Sequence, residues 1–366
     1  MLKVGIFAPY VRNEVTLAAT QFADWLVRDG IDVSYLSDGK VESGIHATWD
    51  NLVTRGATAG TTYRWAYGCT HLCWFSANSK VLRWARVVCP ANAQQHTRHL
   101  YFPTWVGWNA DCDGFLSAAD RVISLSRDMH LWLGDKHLWT GGNPLSNSVV
   151  PGNRTWGNLV SSDVLLVPRR GSVEEGRIKL LAVLPRTVPE DVGEGILGVF
   201  DFLLTTHENL DLTLLLEASW PRKYRQAAKK IAKLSGNRLR VLTGPAYFDY
   251  SRHARDHDWV YVCNTRHHYG SLLSSLVSSA IPLICHDVPP VGAHIQDQIN
   301  GVLIPCELKD SSYPIASVRL SDVGEALDKA LSEDALFLKT LQLQSRVVLS
   351  RRQQAFERMI TKEFIE

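Results

Sequence analysis

The sequence from Trp259 to Cys285 reads Trp-Val-Tyr-Val-Cys-Asn-Thr-Arg-His-His-Tyr-Gly-Ser-Leu-Leu-Ser-Ser-Leu-Val-Ser-Ser-Ala-Ile-Pro-Leu-Ile-Cys. Its first five residues are apolar or aromatic and predict a buried strand, and residues 281–285 predict a second strand. Residues 271–279, between the two, predict a helix. A strand, a helix and a second strand in this order form the repeating unit of a parallel, doubly wound sheet.

The same alternation continues through the rest of the second half. Strands are predicted at 178–184, 212–216, 239–242 and 302–304, and helices at 196–203, 222–234 and 323–366. The helix at 222–234 is basic and amphipathic. The alternation therefore predicts an α/β domain with a mainly parallel sheet.

The first half begins with the same unit. Residues 3–8 form an apolar run, and Ala18, Phe22 and Leu26 recur at helical spacing before Asp29-Gly30, a typical helix end. Further strands are predicted at 31–36, 71–75, 86–89 and 121–126, with a loop and one short helix over 40–68.

Residues 140–177 are rich in glycine, proline and serine, and we place the domain junction there. We expect one Rossmann-like domain at 1–165, a second at 166–345, and a C-terminal helix at 346–366 that returns towards the first domain. Two doubly wound domains that face a cleft would bind ligands beyond the carboxyl ends of their strands.

The composition is that of an ordinary globular protein, with 366 residues, 45% hydrophobic and 21% charged. Because 39 Lys and Arg stand against 37 Asp and Glu, no basic surplus demands a nucleic-acid partner. The seven cysteines are scattered, which favours a reducing compartment. No signal peptide or membrane-spanning run is recognised, so a cytoplasmic protein is expected. The composition leaves the oligomeric state open.

The loop that follows the strand at Trp259 has two possible roles. Tyr269 and Gly270 lie where this loop opens into the helix at Ser271. Free N–H groups at a helix start, beside a glycine that allows close approach, suit an anionic diphosphate. The alternative is an ordinary crossover in which Gly270 only makes the turn, and the spacing alone leaves both roles open.

The segment 259–285 resembles the donor-binding signature of family-4-like glycosyltransferases, which have the GT-B fold. Tyr269 and Gly270 occupy the positions of the Phe-Gly pair of that family, and Pro282 occupies the position of its proline. The stretches 112–126, 181–186 and 292–304 resemble further parts of the same enzymes. The resemblance implies two Rossmann-like domains that face a cleft, with the acceptor on the first and a nucleotide-sugar donor on the second.

The sequence departs from this signature at three positions. His267 and Ser275 replace two glutamates of the family pattern. The second glutamate normally accepts hydrogen bonds from both ribose hydroxyls, and a serine can make only part of that contact. The lysine that usually follows the phosphate-binding arginine is missing after Arg186. Either the donor is held atypically or the chain has lost activity.

The resemblance implies that Arg186, after the first strand of the second domain, clamps the donor diphosphate. The expected donor-binding residues are Arg186, Gly244, His267, Tyr269, Gly270, Ser271 and Ser275. Arginine and backbone dipoles can stabilise a departing diphosphate without a metal. No metal or other cofactor is therefore expected, and a UDP-sugar is the expected co-substrate.

In the resembled enzymes, a histidine or an acid that follows a strand of the first domain faces the reacting sugar. Asn92 and His96, after the strand predicted at 86–89, are the expected catalytic residues because an imidazole titrates near neutrality. A structural loop histidine is the alternative. The expected acceptor-binding residues are Trp74, Ser76, Asn78, Arg98 and His99, with core packing as the alternative for Trp74.

Two patterns could hold a metal ion. Cys69, His71 and Cys73 alternate along a predicted strand, where neighbours two apart are about 6.8 Å distant and zinc bonds of about 2.0–2.3 Å are awkward to form. Asp111-Cys112-Asp113 matches an Asp-x-Asp motif of another glycosyltransferase fold, and a loop or a helix cap explains it equally well. No metal site is assigned.

The acceptor side is expected in the first half, where ten of the 12 tryptophans lie, because aromatic faces stack on sugars and on bases alike. The resemblance implies transfer of a hexose or pentose to a hydroxyl group with retained configuration. The chain also resembles bacteriophage enzymes that glycosylate hydroxymethylated pyrimidines in duplex DNA. The expected acceptor is therefore a hydroxymethylated pyrimidine in DNA, and such an enzyme would act in the host cytoplasm. There are two alternatives: the enzyme acts on a glycan or lipid acceptor, or the protein binds nucleotide-sugars or DNA on the same fold without catalysis. No membrane insertion is expected.

Overall fold

The computed structural model describes residues 2–11, 13–46, 48–88, 97–103, 112, 115, 118–124, 154–156, 176–185, 188–217, 220–243, 253–263, 273, 276, 277, 279–288, 291, 295–309 and 315–364. The chain divides into two compact units. The first unit comprises Met1–Ser162 together with Arg352–Glu366, and the second comprises Asp163–Arg351.

The first unit is built on a parallel sheet of seven strands. The strands are β1 (Lys3–Tyr10), β2 (Asp32–Val41), β3 (Val53–Thr54), β4 (His71–Trp74), β5 (Arg98–Tyr101), β6 (Arg121–Ser124) and β7 (Arg154–Trp156). Their order is β3-β2-β1-β4-β5-β6-β7. Strands β2 and β3 are added on one side of β1, and β4 to β7 are then added on its other side. This reversal defines a doubly wound sheet, as the sequence predicts.

Within the described residues, the first unit has the α-helices α1 (Glu14–Arg28), α2 (Ala59–Ala66) and α3 (Ser79–Val88), whose bounds are defined. Helix α1 begins where the side chain of Asn13 accepts a hydrogen bond from the N–H of Thr16 at 2.8 Å, which satisfies a free donor of the first turn. The chain leaves α1 through Gly30, whose φ of +78° is a left-handed conformation that glycine adopts at little cost.

The strand predicted at 86–89 is wrong, because residues 79–88 form α3. The buried residues of α3 are Val81, Leu82, Ala85 and Val88, which share one helical face. Arg86 is exposed on the opposite side. The next strand of the sheet after β4 is β5, which begins at Arg98.

Most described tryptophans of the first unit are core residues. Trp25, Trp49, Trp65 and Trp74 are each 4% exposed or less. The ring of Trp74 packs against those of Phe7 and Trp65, with centroid distances of 5.3 and 5.7 Å. These side chains contribute to stability through apolar burial, so their number alone does not indicate an acceptor surface.

The last residues of the chain pack into the first unit. The ring of Phe356 lies edge-on to Trp25 at 5.4 Å, and the ring of Phe364 lies 5.8 Å from Phe22. Both partners belong to α1, whose apolar side is buried in part by this C-terminal segment.

The second unit contains a parallel sheet of six strands and a small antiparallel hairpin. The strands of the sheet are β8 (Ile178–Leu184), β9 (Leu210–Leu216), β10 (Leu239–Thr243), β11 (Trp259–Val262), β12 (Leu283–His286) and β13 (Gly301–Ile304), and the hairpin pairs β14 (Glu307–Lys309) with β15 (Ile315–Ser317). The sheet order is β10-β9-β8-β11-β12-β13, which is again doubly wound. Residues 180–184 are 1% exposed or less, as expected for a central strand that is covered on both faces.

The helices of the second unit whose bounds lie within the described residues are α4 (Glu190–Thr206), α5 (Arg222–Leu234) and α6 (Leu320–Ser332). The long helix α7 (Ala335–Phe364) begins in the second unit and ends in the first. The helices predicted at 196–203 and 222–234 are confirmed, and the C-terminal helical region is confirmed to Phe364. The helix predicted at 271–279 lies mostly outside the described residues. No helix in the described ranges is both long enough and apolar enough to span a membrane.

Candidate functional site

The second unit has a switch point between β8 and β11, where the strand order reverses. The two strands are hydrogen-bonded neighbours, with Val183 opposite Val262. The N–H of Cys263, the residue after β11, donates to the carbonyl oxygen of Val183 at 3.1 Å, so the two strands end at nearly the same level. In open α/β sheets, ligands bind outside the carboxyl ends of the strands at such a point.

The predicted donor-binding residues follow these two strands in the sequence. Arg186 comes two residues after the end of β8, and the stretch from His267 to Ser275 comes shortly after β11. The residues Arg186, Gly244, His267, Tyr269, Gly270, Ser271 and Ser275 all lie outside the described residues. Their roles stay predictions, but the strands that lead to Arg186 and to Tyr269 are the two that flank the switch point.

The end of β8 is fixed by a buried tryptophan. The indole Nε1 of Trp220 donates a hydrogen bond to the carbonyl oxygen of Leu184 at 2.9 Å, and the ring lies against Gly193 of α4, where a Cβ atom would overlap it. Four residues beyond Leu184, the N–H of Val188 donates to the carbonyl oxygen of Pro185 at 3.2 Å. These contacts hold the residues on both sides of position 186 in defined positions.

The start of α4 is tied to α5 by a tyrosine. The hydroxyl of Tyr224 donates to the carbonyl oxygen of Glu190 at 2.9 Å, and its ring packs edge-on against Trp220 at 4.9 Å. Lys223 forms an ion pair with Glu190 at 3.4 Å. The first turns of α4 and α5 therefore both lie beside the carboxyl end of β8.

Ionisable groups near the ends of β11 and β12 are buried and uncharged at neutral pH. Burial lowers the pKa of His286 to about 4, and its Nε2 lies 3.2 Å from the hydroxyl of Tyr261. Burial raises the pKa of the Cys263 thiol to about 12 and raises the pKa of Cys285 as well. A protonated thiol is a poor nucleophile, so we assign these groups to packing of the sheet.

The first unit has its own switch point, between β1 and β4, and a polar cluster lies at this edge. The carboxylate of Asp38 accepts a hydrogen bond from the hydroxyl of Ser76 at 2.6 Å and another from Nδ2 of Asn78 at 3.2 Å. Asp38 belongs to β2, whereas Ser76 and Asn78 follow β4, so these bonds connect the strands on either side of β1. All three side chains are half-buried.

Asn78 also determines where α3 begins. Its Oδ1 accepts a hydrogen bond from the N–H of Val81 at 3.2 Å, which is the geometry of a helix N-cap. The side chain of Asn78 is therefore held between the helix start and Asp38. The predicted residues Ser76 and Asn78 are brought together, and Asp38 is a third member that the sequence reading missed.

The other predicted acceptor-binding residues lie elsewhere in the first unit. Trp74 is 0% exposed, and its Nε1 donates to Nδ1 of His99 at 3.3 Å with the two rings stacked. Arg98 and His99 are the first residues of β5, at the amino end of the sheet, and the N–H of His99 donates to the carboxylate of Asp120 at 2.7 Å. Contact of Trp74, Arg98 or His99 with an acceptor stays a prediction.

Asn92 and His96 lie outside the described residues, so their catalytic roles stay predictions. Their segment follows helix α3 and precedes β5, whereas the sequence reading placed it after a strand. Connections from a helix to a strand in a parallel sheet lead to the amino end of the strand, away from the edge where ligands bind.

The two metal-binding patterns of the sequence do not form a metal site in the described part of the chain. Among the described residues, no three His, Cys, Asp or Glu side chains converge in a way that would hold a metal ion. The alternation predicted for Cys69, His71 and Cys73 is interrupted because β4 begins at His71. Cys69 precedes the strand, and its thiol donates to the carbonyl oxygen of Trp65 at 3.3 Å. Asp111 and Asp113 lie outside the described residues.

The sequence matches no protein-family model and no curated protein, but solved structures match nearly the whole chain. A glycosyltransferase from Rickettsia africae is similar with a TM-score of 0.67 and 10% identity, over 100% of this chain and 99% of that one. An alpha-glucosyltransferase in complex with UDP and a 13-mer DNA containing an HMU base has a TM-score of 0.61 and 11% identity, over 98% of both chains. HepE of Anabaena, in complex with UDP and glucose, has a TM-score of 0.60 and 13% identity, over 99% of this chain and 100% of that one.

The chain has the GT-B fold.

The GT-B assignment confirms the fold that the segment 259–285 indicated in the sequence. Each GT-B unit has a doubly wound sheet, and each sheet has one switch point. At the switch point of the first unit lies the cluster of Asp38, Ser76 and Asn78. At that of the second unit lies the anchored end of β8, held by Trp220.

Proposed function

We propose that this GT-B protein is a glycosyltransferase that moves a sugar from a UDP-sugar to a hydroxymethylated pyrimidine in duplex DNA. The observation that carries the proposal is the strand order of the second unit, because the two strands at its switch point lead directly to Arg186 and to the loop with Tyr269 and Gly270. An arginine and a helix start at a switch point suit an anionic diphosphate.

In this proposal, the donor is held by the second unit. Arg186 pairs with the diphosphate, and the N–H groups of Gly270 and Ser271 donate to it at the start of their helix. Gly244, His267, Tyr269 and Ser275 complete the donor site. Since Ser275 stands where the resembled enzymes have a glutamate, Ser275→Glu should tighten donor binding, as measured by calorimetry with UDP.

The reaction moves one glycosyl group and one proton. The acceptor hydroxyl oxygen forms a bond to the anomeric carbon, the bond from that carbon to the diphosphate oxygen breaks, and the diphosphate leaves with the electron pair. The hydroxyl proton passes to the departing phosphate, and the transferred sugar keeps its anomeric configuration. Stabilising the leaving group is electrostatic work that Arg186 and backbone dipoles perform without a metal ion.

The acceptor is assigned to the first unit. Asp38, Ser76 and Asn78 form a polar cluster at its switch point and could hydrogen-bond a base or a hydroxymethyl group. Asn92 and His96, for catalysis, and Trp74, Arg98 and His99, for acceptor contact, rank below this cluster as sites to test, because Trp74 is fully buried and Arg98 and His99 begin β5 at the amino end of the sheet. The DNA acceptor is supported by the similarity to the alpha-glucosyltransferase that was solved with an HMU-containing DNA.

The proposed compartment is the cytoplasm. The six described cysteines, among them Cys73 and Cys306, are free thiols, which supports a reducing environment.

A donor and acceptor panel tests the proposal. The protein is incubated with UDP-glucose, UDP-galactose or UDP-N-acetylglucosamine and a duplex that contains hydroxymethyluracil or hydroxymethylcytosine, with an otherwise identical duplex of ordinary bases as the control. Mass spectrometry should show one added sugar only on the modified duplex. Transfer to a glycolipid included in the panel, with none to DNA, would refute the DNA acceptor, and UDP binding without any transfer would indicate a non-catalytic protein.

A further inference from the structure

Helix α5 presents a stripe of positive charge on one side. Its sequence from Arg222 to Leu234 contains six Lys and Arg residues and no acidic residue. Five of the six are exposed and lie on the same side at helical spacing, namely Arg222, Lys223, Lys229, Lys230 and Lys233. From Arg222 to Lys233 the stripe is about 17 Å long at 1.5 Å per residue. This set of five residues is called the α5 stripe below.

Most of this charge is not neutralised within the described part of the chain. Lys223 pairs with Glu190 at 3.4 Å, at one end of the stripe. Arg222, Lys229, Lys230 and Lys233 have no ion-pair partner among the described residues. A row of uncompensated cations attracts a partner with a matching row of negative charges.

The opposite side of α5 is already used in the core. Tyr224 and Ala228 are 3% and 0% exposed, and Ile231 packs against the same apolar cluster. A helix that binds a membrane surface needs an apolar face to insert between lipids. In α5 that face is buried, and only Leu234 at the last position is exposed among its large apolar residues. The stripe therefore fits a phosphate polymer better than a lipid surface.

The stripe begins beside the candidate donor site. Tyr224 donates to the carbonyl oxygen of Glu190, and Trp220, two residues before Arg222, donates to that of Leu184. The first turn of α5 is therefore next to the segment that carries Arg186. From there α5 runs back along the sheet beside the edge strand β10, on which Arg240 is exposed as well.

We infer that the α5 stripe binds the phosphate backbone of duplex DNA, independently of base sequence, and so holds the duplex beside the donor site. This inference rests on the proposed function, because the bound duplex would be the acceptor. One DNA strand carries a phosphate about every 3.4 Å along the helix axis, so a stripe of 17 Å faces roughly five phosphates. Contacts of this kind release counterions, and their affinity falls steeply with salt.

The test uses the full chain and a fluorescein-labelled duplex without modified bases. Binding is followed by fluorescence anisotropy between about 50 and 300 mM salt, because counterion release makes the affinity depend strongly on salt in this range. The variant Lys229→Gln/Lys230→Gln/Lys233→Gln should bind about a hundredfold more weakly near 0.1 M salt, and the slope of log K against log salt should be smaller by roughly 2.7. The charge-preserving variant with arginine at the same three positions should bind like the unchanged protein.

A matched control removes exposed lysines from other helices of the second unit. Lys329→Gln/Lys339→Gln, on α6 and α7, should leave the affinity and the salt slope unchanged. If the stripe variant binds the duplex as well as this control, or if the unchanged protein binds phosphatidylglycerol vesicles and not the duplex, the inference is wrong. Because the duplex has no modified base and no donor is present, this outcome is distinct from failure of sugar transfer, which is read separately as UDP release.

Discussion

The indole Nε1 of Trp220 donates a hydrogen bond to the carbonyl oxygen of Leu184 across a distance of 2.9 Å. Leu184 ends the central strand β8, and Arg186 follows two residues later. Trp220 is 1% exposed, so this bond is sheltered from water. It fixes the point from which the chain leads to the proposed diphosphate clamp.

Replacing Trp220 by phenylalanine should therefore weaken both stability and donor binding. Trp220→Phe keeps an aromatic ring but removes the N–H, so the carbonyl oxygen of Leu184 loses this donor. A buried polar group that loses its partner costs about 1–3 kcal/mol. Urea unfolding measures this loss, and the KM for the donor should rise more than kcat falls. An unchanged free energy of unfolding would show that the bond has no structural role.

Two glycines of α4, one beside the Trp220 ring and one away from it, allow a controlled test of the packing around Trp220. At Gly193 an added Cβ atom would overlap the Trp220 ring, whereas at Gly198 it would meet open space. Gly193→Ala should lower the free energy of unfolding by about 1–3 kcal/mol through overpacking. Gly198→Ala should raise it by about 0.5–1 kcal/mol, because alanine is the better helix former. Equal effects of the two changes in urea unfolding would contradict the packing described for Trp220.

The second half of the fold could be predicted closely because its strands are buried on both faces and read as apolar runs. The predicted strand 178–184 matches β8 in both bounds, and the predicted helix 222–234 matches α5. Their periodicity depends only on local sequence and on burial. The hydrogen bond from Trp220 to Leu184 joins residues 36 positions apart, and no local pattern indicates such a contact.

The first half was harder to predict because local preference and tertiary structure disagree there. The run Val87-Val88-Cys89 favours a strand, but Val88 lies on the buried face of α3. The true strand β5 begins with the polar pair Arg98-His99, which resembles a loop. The helical spacing of the buried residues of α3 was the available signal, and the Asn78-Ser79 pair marks the start of that helix.

Asp38 was missed for a related reason. The predicted second strand ends at Leu36, and the residues that follow, Ser37-Asp38-Gly39, are of types common in turns. In the structure, β2 continues to Val41 since β1 pairs with it as far as Tyr10. Because β2 is extended by its pairing with β1, Asp38 lies at the edge of the sheet where Ser76 and Asn78 are found. This position depends on the pairing of two strands and cannot be recognised from the local sequence.

The polar cluster of the first unit can be tested through Asn78. Asn78→Ala removes both the cap of α3 and a donor to Asp38, and should lower the free energy of unfolding by about 1 kcal/mol. Asn78→Ser should retain most of the cap and most of the stability. If the cluster also contacts the acceptor, Asn78→Ala should raise the KM for the modified duplex and leave UDP affinity unchanged. An unchanged KM in a stable variant would remove Asn78 from the acceptor site.

Stability should depend on pH through His286. Its pKa is about 4 in the folded protein and 6.5 in the ordinary, exposed state, so the unfolded chain binds more protons between these values. The free energy of unfolding should therefore fall as the pH drops from 6.5 to 4, by about 3 kcal/mol from this group. His257, whose pKa burial also lowers, should add to the fall.

The variant His286→Gln isolates the contribution of that side chain. Glutamine can hydrogen-bond the hydroxyl of Tyr261 but does not titrate. The difference in unfolding free energy between pH 7 and pH 4.5 should be smaller in the variant than in the unchanged protein (about 2–3 kcal/mol smaller). The same difference in both proteins would show that His286 does not titrate as its burial implies.

Two arginines at opposite ends of β8 allow the most direct test of the proposed function. Arg186 follows the carboxyl end of the strand, and Arg177 precedes its amino end, where it pairs with Asp211 at 3.0 Å. The measurement is the mass of a hydroxymethyluracil duplex after incubation with a UDP-sugar and the unchanged protein, Arg186→Ala or Arg177→Ala. The duplex should gain one sugar with the unchanged protein and with Arg177→Ala, and none with Arg186→Ala. Transfer by Arg186→Ala at the unchanged rate, or no transfer by any of the three proteins, would contradict this account.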